Sequence, residues 1–374
     1  MIKFLTQIAE KNSIDKNQIT PPTVVSLFCG CGGMDYGFKM AGFKTIWATD
    51  IDEFALKTFS ENLRCKIIKK DIRELHVNEI PDNPDVIIGG FPCQGFSSAG
   101  KRNTCDTRNS LAWEMVRIIN EKKPKFFVGE NVLGIRSMKL PNGGLVLDKL
   151  IKDLKEIGYN VEYRVLNSKD YGVPQNRKRI FLIGNRLNLP ILFPKATHNK
   201  SNWKTLRSAI GNLPNPDKID LDNYNIKNHE YKPLAPSDLA IVKHVHPGEN
   251  WKSVPYENLT NRLKKIKDNL KYYKSPAFYK RPLYDATTGT VSATMNPTHC
   301  TALHPIENRR FTVREAARIQ SFPDDFVFNG SITQCYKQVG NAVPPKLAYH
   351  IARVLKYQLE KGKNPQKALI VDYL

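Results

Sequence analysis

The sequence contains no apolar run approaching the roughly 20 residues that a membrane-spanning helix needs. Its first twenty residues, MIKFLTQIAEKNSIDKNQIT, lack the unbroken apolar core of a secretion signal. A cytoplasmic location is therefore expected, with no membrane partner. Cysteine is sparse, with seven residues at 29, 31, 65, 93, 105, 300 and 335. An odd count spread thinly along the chain does not read as a disulfide framework and implies free thiols in a reducing compartment. The close pair Cys29 and Cys31 has no second pair to complete a zinc site, so no metal is expected. His244 and His246 precede Pro247-Gly248 and read as part of a polar loop. There is no internal repeat. Acidic residues are also short: 36 Asp and Glu stand against 57 Lys and Arg, for a net charge of +21. That deficit makes a polyanionic partner the expectation, nucleic acid rather than a membrane surface.

What is present is ample for a packed core. The chain has 374 residues, 41% of them hydrophobic, enough for a large domain with a smaller partner. After a short polar extension over 1–20, apolar runs recur at Thr23–Phe28, Lys44–Thr49, Asp85–Ile88 and Lys125–Val128. Leu111, Met115, Ile118 and Ile119 fall at helical spacing, as do Leu147, Leu150, Ile151, Leu154 and Ile157. Further strands are expected near 161–166 and 179–183. Short strands alternating with helices predict an α/β fold with a largely parallel sheet covered on both faces. The pattern breaks near Pro190. Residues 193–310 are rich in Asn, Pro, Lys and Tyr and read as a loop-rich module, folded because it carries Trp203, Trp251 and scattered tyrosines. Order returns at Thr312, where Thr312 and Glu315 form a capping box opening a helix over Val313–Phe322. A last helix is predicted near 345–361.

Three strand ends carry residues suited to a nucleoside. Phe28-Cys-Gly-Cys-Gly-Gly33 follows the first strand, where glycines let backbone approach a ligand closely. Asp50 ends the second strand and can accept both hydroxyls of a ribose. Asp71-Ile72 follows a third, suited to an adenine amino group and ring face. A fourth loop, Gly89-Gly-Phe-Pro-Cys93-Gln-Gly-Phe-Ser97, puts a cysteine in a turn shaped by Gly and Pro. A thiolate is a strong nucleophile near neutral pH when its pKa is lowered and it is partly exposed. The loop Gly129-Glu130-Asn131-Val132 offers a carboxyl at the same sheet edge. The segment Gln175-Asn-Arg177-Lys-Arg179 supplies guanidinium groups, Arg179 running directly into the apolar strand Ile180–Ile183.

With these motifs in order, the chain resembles the DNA (cytosine-5) methyltransferase family. The resemblance rests on the loop at 28–33, Pro-Cys-Gln at 92–94, Glu-Asn-Val at 130–132 and QxRxR at 175–179. It continues through Arg314-Glu-Ala-Ala-Arg-Ile-Gln-Ser-Phe-Pro323 and Gly340-Asn-Ala-Val343. Six motifs in family order, spanning nearly the whole chain, are highly specific. The resemblance implies a Rossmann-like S-adenosylmethionine-dependent methyltransferase fold with a smaller, loop-rich target-recognition domain. The catalytic domain is expected over 21–192, completed by 332–374, with recognition over 193–331.

The resemblance also implies roles. Cys93 would attack C6 of cytosine, Glu130 would serve N3, and Arg179, with Arg177, would help polarise the ring. S-adenosylmethionine would be held by Phe28, Gly30, Gly32, Gly33, Asp50, Ile51, Asp71 and Ile72, with Pro92, Leu111, Asn341 and Ala342 completing the site. It would leave as S-adenosylhomocysteine. The reacting carbon lies inside the duplex stack, so the base must be flipped out. Gln94 and Ser97 are expected to touch DNA. The basic run Arg262–Arg281 is expected to clamp phosphates through Arg262, Lys264, Lys265 and Lys267, with Arg281 in the same cluster and Tyr272, Tyr273 and Tyr279 interleaved. The chain's compactness resembles a prokaryotic restriction–modification methylase acting as a monomer on double-stranded DNA, with any cognate restriction endonuclease a separate protein. Two rivals have the same motifs: a tRNA cytosine methylase, disfavoured by the sizeable variable region, and an inactive DNA-binding relative, disfavoured by the intact Cys93, Glu130, Arg177 and Arg179.

Overall fold

The computed structural model describes residues 20–92, 111–141, 143–220, 225–269, 278–298 and 301–363. Seven strands, β1 (Thr23–Leu27), β2 (Lys44–Asp50), β3 (Lys66–Lys69), β4 (Val86–Gly89), β5 (Phe126–Asn131), β6 (Asn160–Asn167) and β7 (Lys178–Asn185), form one sheet. Its order is β3-β2-β1-β4-β5-β7-β6. β1, β2, β3, β4 and β5 pair in parallel, while β7 is antiparallel to both β5 and β6. The largely parallel sheet expected from the apolar runs is thus present, with one reversed strand near its far edge.

Residues alternate between the two faces. On β1, Val24 packs to one side and Val25 and Leu27 to the other. Helices α1 (Gly33–Met40) and α10 (Pro345–Lys363) cover the first face through Phe38, Leu347, Ile351 and Leu355. Helices α3 (Leu111–Lys122) and α4 (Val146–Glu156) cover the second through Met115, Ile118, Leu150 and Leu154. Between β2 and β3 lies α2 (Glu53–Asn62), whose N-terminal amides are capped by the Asp52 carboxylate. Burial on both faces explains why the strands read as near-continuous apolar runs.

β5 extends to Asn131, so Glu130 stands on a strand and not on a loop after it. The reason is β7, which pairs Glu130 with Phe181 and Asn131 with Ile180. Strand order reverses between β1 and β4. The loops following them therefore diverge and open a crevice at the carboxyl ends, the usual ligand position in such sheets.

The region after Pro190 is loop-rich, as its composition implied, yet it is packed. Short helices α5 (Leu206–Ile210), α6 (Pro236–Val242) and α7 (Asn261–Asp268) punctuate it. One core gathers Ile241, Trp251, Leu263 and Tyr279. A second gathers Leu206 and Val291 with α8 (Val313–Ile319), the tilted and edge-on rings of Phe322, Phe326 and Phe328, and α9 (Ile332–Asn341). The capping box at Thr312 and Glu315 forms as read, but α8 stops at Ile319, short of Phe322. Ser321 takes the left-handed conformation, φ 69°, and the Phe322 N–H folds back onto the Ala317 carbonyl.

Gly37 of α1 faces the first turns of α10. A Cβ there would lie 2.5 Å from both the Ala348 Cβ and the Pro345 carbonyl oxygen. Backbone cannot yield easily, so this clash outweighs the roughly 0.5–1 kcal/mol that Ala gains over Gly inside a helix. Gly37→Ala is expected to destabilise the protein by about 1–3 kcal/mol in denaturant unfolding. An unchanged or raised midpoint would contradict this packing.

Candidate active site

A cavity of about 610 Å³ occupies the crevice. Each parallel strand contributes its carboxyl end. Phe28 and Gly30 follow β1, Asp50 and Ile51 end β2, and Asp71 and Ile72 follow β3. Pro92 follows β4, Leu111 opens α3, Glu130 comes from β5, and Arg177 and Arg179 come from the start of β7. Gly33, Asn341 and Ala342 close the ring. Residues more than 300 positions apart meet here because α1 and the turn between α9 and α10 are in direct contact. A Cβ on Gly33 would lie 2.5 Å from the Val343 carbonyl oxygen, which only glycine permits.

The carboxylates differ in how they are engaged. Asp50 accepts the Gly30 N–H at 2.8 Å and the Asp52 N–H at 2.9 Å, tying the β1 loop to the β2 end. Burial raises its pKa and these amide bonds work against the rise. Asp71 is gripped by the Arg73 side chain and backbone N–H, which hold its carboxyl below the usual range. Asp35 lies below the glycine loop and accepts from Ser26 Oγ at 2.9 Å and Thr45 Oγ1 at 3.1 Å; burial raises it to about 7. Cys29 is a half-buried thiol and Cys31 a buried one. Burial lifts the first well above its ordinary value and the second to about 12, so neither is a nucleophile at neutral pH. Ile51, by contrast, is 66% exposed at the cavity, an apolar surface facing open space.

Glu130 is a second buried carboxyl of the site, 8% exposed. Arg179 Nε stands 3.1 Å from its Oε1, yet the two are not aligned for a hydrogen bond, so that oxygen is buried with no donor aimed at it. Burial raises the Glu130 pKa from its ordinary 4.5; the positive charges of Arg179 and Arg177 oppose the rise without cancelling it. Arg177 is more deeply buried and points elsewhere. Its Nη1 donates to the carbonyls of Gly340 at 2.9 Å and Val291 at 3.3 Å, binding the loop-rich region to the end of α9. A Cβ on Gly340 would lie 2.3 Å from the Ala293 nitrogen, so backbones meet closely at this joint.

Some expected residues fall elsewhere. Gly32 does not line the cavity; its Cα faces Leu63 and Phe59, where a Cβ would lie within 3 Å of both side chains. Cys93, Gln94 and Ser97 lie outside the described residues. Arg262, Lys264, Lys265 and Lys267 sit on α7, away from the cavity lining. The basic run is not uniform. Arg281 is 2% exposed and uses all five N–H donors within the module, on the carbonyls of Val245, His304, Glu307 and Val242 and on Asn308 Oδ1. Tyr279 is likewise buried, donating to Asp238 at 2.7 Å. Both are internal braces, correcting their expected place on a phosphate-binding surface. Lys271, Tyr272, Tyr273 and Lys274 lie outside the described residues.

Other participants emerge only in the fold. Asn131 donates to the Phe91 carbonyl at 3.2 Å, fixing the chain two residues before Cys93. Its place in the Glu-Asn-Val motif was the available signal. Lys337 of α9 reaches Asp52 Oδ2 at 2.6 Å, and both residues line the cavity. No sequence pattern links positions so distant.

Comparison with known proteins shows the family. The family model described as C-5 cytosine-specific DNA methylase matches residues 22–357. The chain is 36% identical to Type II methyltransferase M.DdeI of Desulfomicrobium norvegicum, over 90% of this chain and 89% of that protein. It is 38% identical to Type II methyltransferase M.MthTI of Methanothermobacter thermautotrophicus, over 91% of this chain and 99% of the relative. A solved structure of a putative DNA modification methyltransferase encoded within an E. coli prophage superposes with a TM-score of 0.64 at 26% identity, covering 91% of this chain and 99% of that one. The family model's match along most of the chain, together with these relatives at 36% and 38% identity, makes this protein a member of the C-5 cytosine-specific DNA methylase family.

Proposed function

We propose that the crevice holds S-adenosylmethionine beside a cytosine flipped out of duplex DNA, with Glu130 and Arg179 gripping the base and Cys93 as the nucleophile. The observation that carries this reading is the buried Oε1 of Glu130, which has no donor of its own and lines the same cavity as Asp50 and Pro92. A protonated carboxyl there suits N3 of cytosine, and the Arg179 guanidinium beside it suits O2. The family's use of S-adenosylmethionine fits the donor set: Asp50 for ribose hydroxyls, exposed Ile51 and neighbouring Ile72 for an adenine face, and the Phe28 and Asn341 segments towards the methionine end. When bound, it supplies the electrophilic methyl group that C5 takes up.

The chain's own residues perform the rest. The Cys93 thiolate forms a bond to C6, and the displaced ring electrons collect at N3 and C5. Glu130 delivers its proton to N3 as that charge develops, while Arg179 steadies O2. After C5 is alkylated, a base removes the C5 proton, the C6–sulfur bond breaks, and the N3 proton returns to Glu130. Pro92 lines the cavity one residue before Cys93, and Asn131 anchors Phe91; both support a thiol presented at the reacting base. S-adenosylhomocysteine is the leaving product, and no metal takes part. Recognition belongs to 193–331, between a catalytic domain over 21–192 and its completion over 332–374. Similarity to named Type II methyltransferases supports a restriction–modification role, and on this reading the protein acts as a cytoplasmic monomer that marks one DNA sequence against a separate endonuclease.

Bisulfite sequencing of DNA from cells expressing the chain tests this reading. Protection of one cytosine in one sequence supports it; methylated tRNA with unmodified DNA would instead favour the RNA rival. The two arginines should separate cleanly. Arg177→Ala is expected to lose about 1.5–3 kcal/mol for each carbonyl left without its charged donor. Arg179→Ala should lose turnover far more than stability, and the reverse pattern would contradict the assignments.

Glu130→Gln should lower turnover by roughly 10²–10⁴-fold. It should also change the pH dependence of stability. The raised pKa means that folding favours the protonated carboxyl, a contribution complete below about 4.5 and lost as pH rises through the folded value. Glutamine stays neutral, so the variant should gain stability relative to wild type as pH rises from 4 to 7 in denaturant titrations. A pH-independent difference would mean that folding leaves the Glu130 pKa unshifted, and a variant that loses ground to wild type as pH rises would mean that the folded carboxyl is held ionised.

A further inference from the structure

A concentration of positive charge that no run in the sequence reveals is assembled on one flank of the catalytic sheet. Three segments meet there: the turn at Ser168–Tyr171, residues 195–204, and the first turns of α10. The His198 ring packs over Gly172, with Cε1 3.0 Å from where a Cβ would stand. Tyr171 and His350 bring their ring centroids to 5.5 Å. Lys169 Nζ lies 3.3 Å above the Trp203 ring, and Arg353 stacks over Tyr349 at 5.8 Å. The Lys346 N–H is anchored to Ser321 Oγ at 3.1 Å.

The flank has little to neutralise it. Residues 195–204 contain three lysines and a histidine but no acid, and residues 344–359 contain none either. Asp170, at the turn, accepts the Trp203 Nε1–H at 3.0 Å. Among the described residues, Lys204, Lys346 and Arg353 are exposed and form no ion pair. Burial and then neighbouring cations make His198 and His350 release protons more readily than usual, with no acid opposing the shift. Like charges gathered without partners oppose folding, and a polyanion relieves that repulsion.

Its position suits such a ligand. Gly172 lies five residues before Arg177, and Lys346 lies three residues past Val343, which lines the cavity. Gln175 donates to Gln320 at 2.8 Å, next to Ser321, so patch and cavity rim share one framework. We propose that Lys204, Lys346 and Arg353, backed by Lys169, form a docking surface for the phosphates of the duplex flanking the flipped base. This rests on the proposed seating of a duplex base in the crevice.

The test is the triple variant Lys204→Gln, Lys346→Gln, Arg353→Gln, titrated with a random-sequence duplex over a range of salt. Binding at physiological salt should weaken by about tenfold or more, and the plot of log affinity against log salt should flatten by about 0.9 for each phosphate that is no longer neutralised. Affinity for S-adenosylhomocysteine and the methylated sequence should match wild type. A variant with wild-type affinity and salt slope would overturn the docking surface and leave the crevice reading intact. A wild-type protein that binds no duplex would overturn both. If the triple variant loses S-adenosylhomocysteine binding, Lys204→Gln alone takes its place: a slope shallower by about 0.9 supports the surface and an unchanged slope overturns it.

Discussion

The site depends on one carboxyl withheld from water. Glu130 lies on β5 between two paired strands, so its side chain cannot retreat to solvent when the cavity is empty. Burial penalises its charge, and a guanidinium at 3.1 Å reduces that penalty without removing it. The balance shifts this carboxyl towards keeping its proton beside a cation. Such a pair can meet a ring that has both an acceptor nitrogen and a carbonyl oxygen. A fully solvated glutamate would already be ionised at neutral pH, and one in a perfectly formed ion pair would be held ionised too.

Holding that carboxyl in register requires distant parts of the chain to close around it. The strand-order reversal opens the crevice, but the C-terminal segment completes its wall. Gly33 against Val343, and Arg177 on the Gly340 carbonyl, are contacts in which a larger or shorter side chain leaves either a clash or an unpaired buried group. Lys337 and Asp52 then bridge opposite sides of the lining. The glycines and arginines of the motifs thus serve assembly as much as chemistry. The two arginines of QxRxR divide these tasks: Arg179 faces the carboxyl and Arg177 braces the joint.

Most of the framework was legible in the sequence because its signals are local. Strands buried on both faces appear as short apolar runs, and α3, α4 and α10 show their helical spacing. The capping box at Thr312 and Glu315 is complete within four residues. Binding loops were legible through glycines and carboxylates at strand ends. The failures arise where tertiary contacts decide. Glu130 was read as a loop residue because its pairing partner, Phe181, lies far along the chain. Gly32 looked like a ligand contact but faces Phe59 and Leu63. Arg281 looked like part of a basic surface, yet a run of charges says nothing about which member turns inward to brace carbonyl groups. The converse holds for Lys204, Lys346 and Arg353, which are scattered in sequence and adjacent only in the fold.

The central claim is that Cys93 and the Glu130–Arg179 pair act on one flipped cytosine. The most direct measurement is to react the protein with S-adenosylmethionine and a duplex carrying 5-fluorocytosine at the target, then map any covalent product by mass spectrometry. Fluorine cannot leave C5 as a proton does, so elimination should stall. The account predicts a stable adduct at Cys93 that has also gained the methyl group, and no adduct with Cys93→Ser. Normal methylation of ordinary cytosine without any adduct on the fluorinated duplex, or an adduct mapped to another residue, would contradict it.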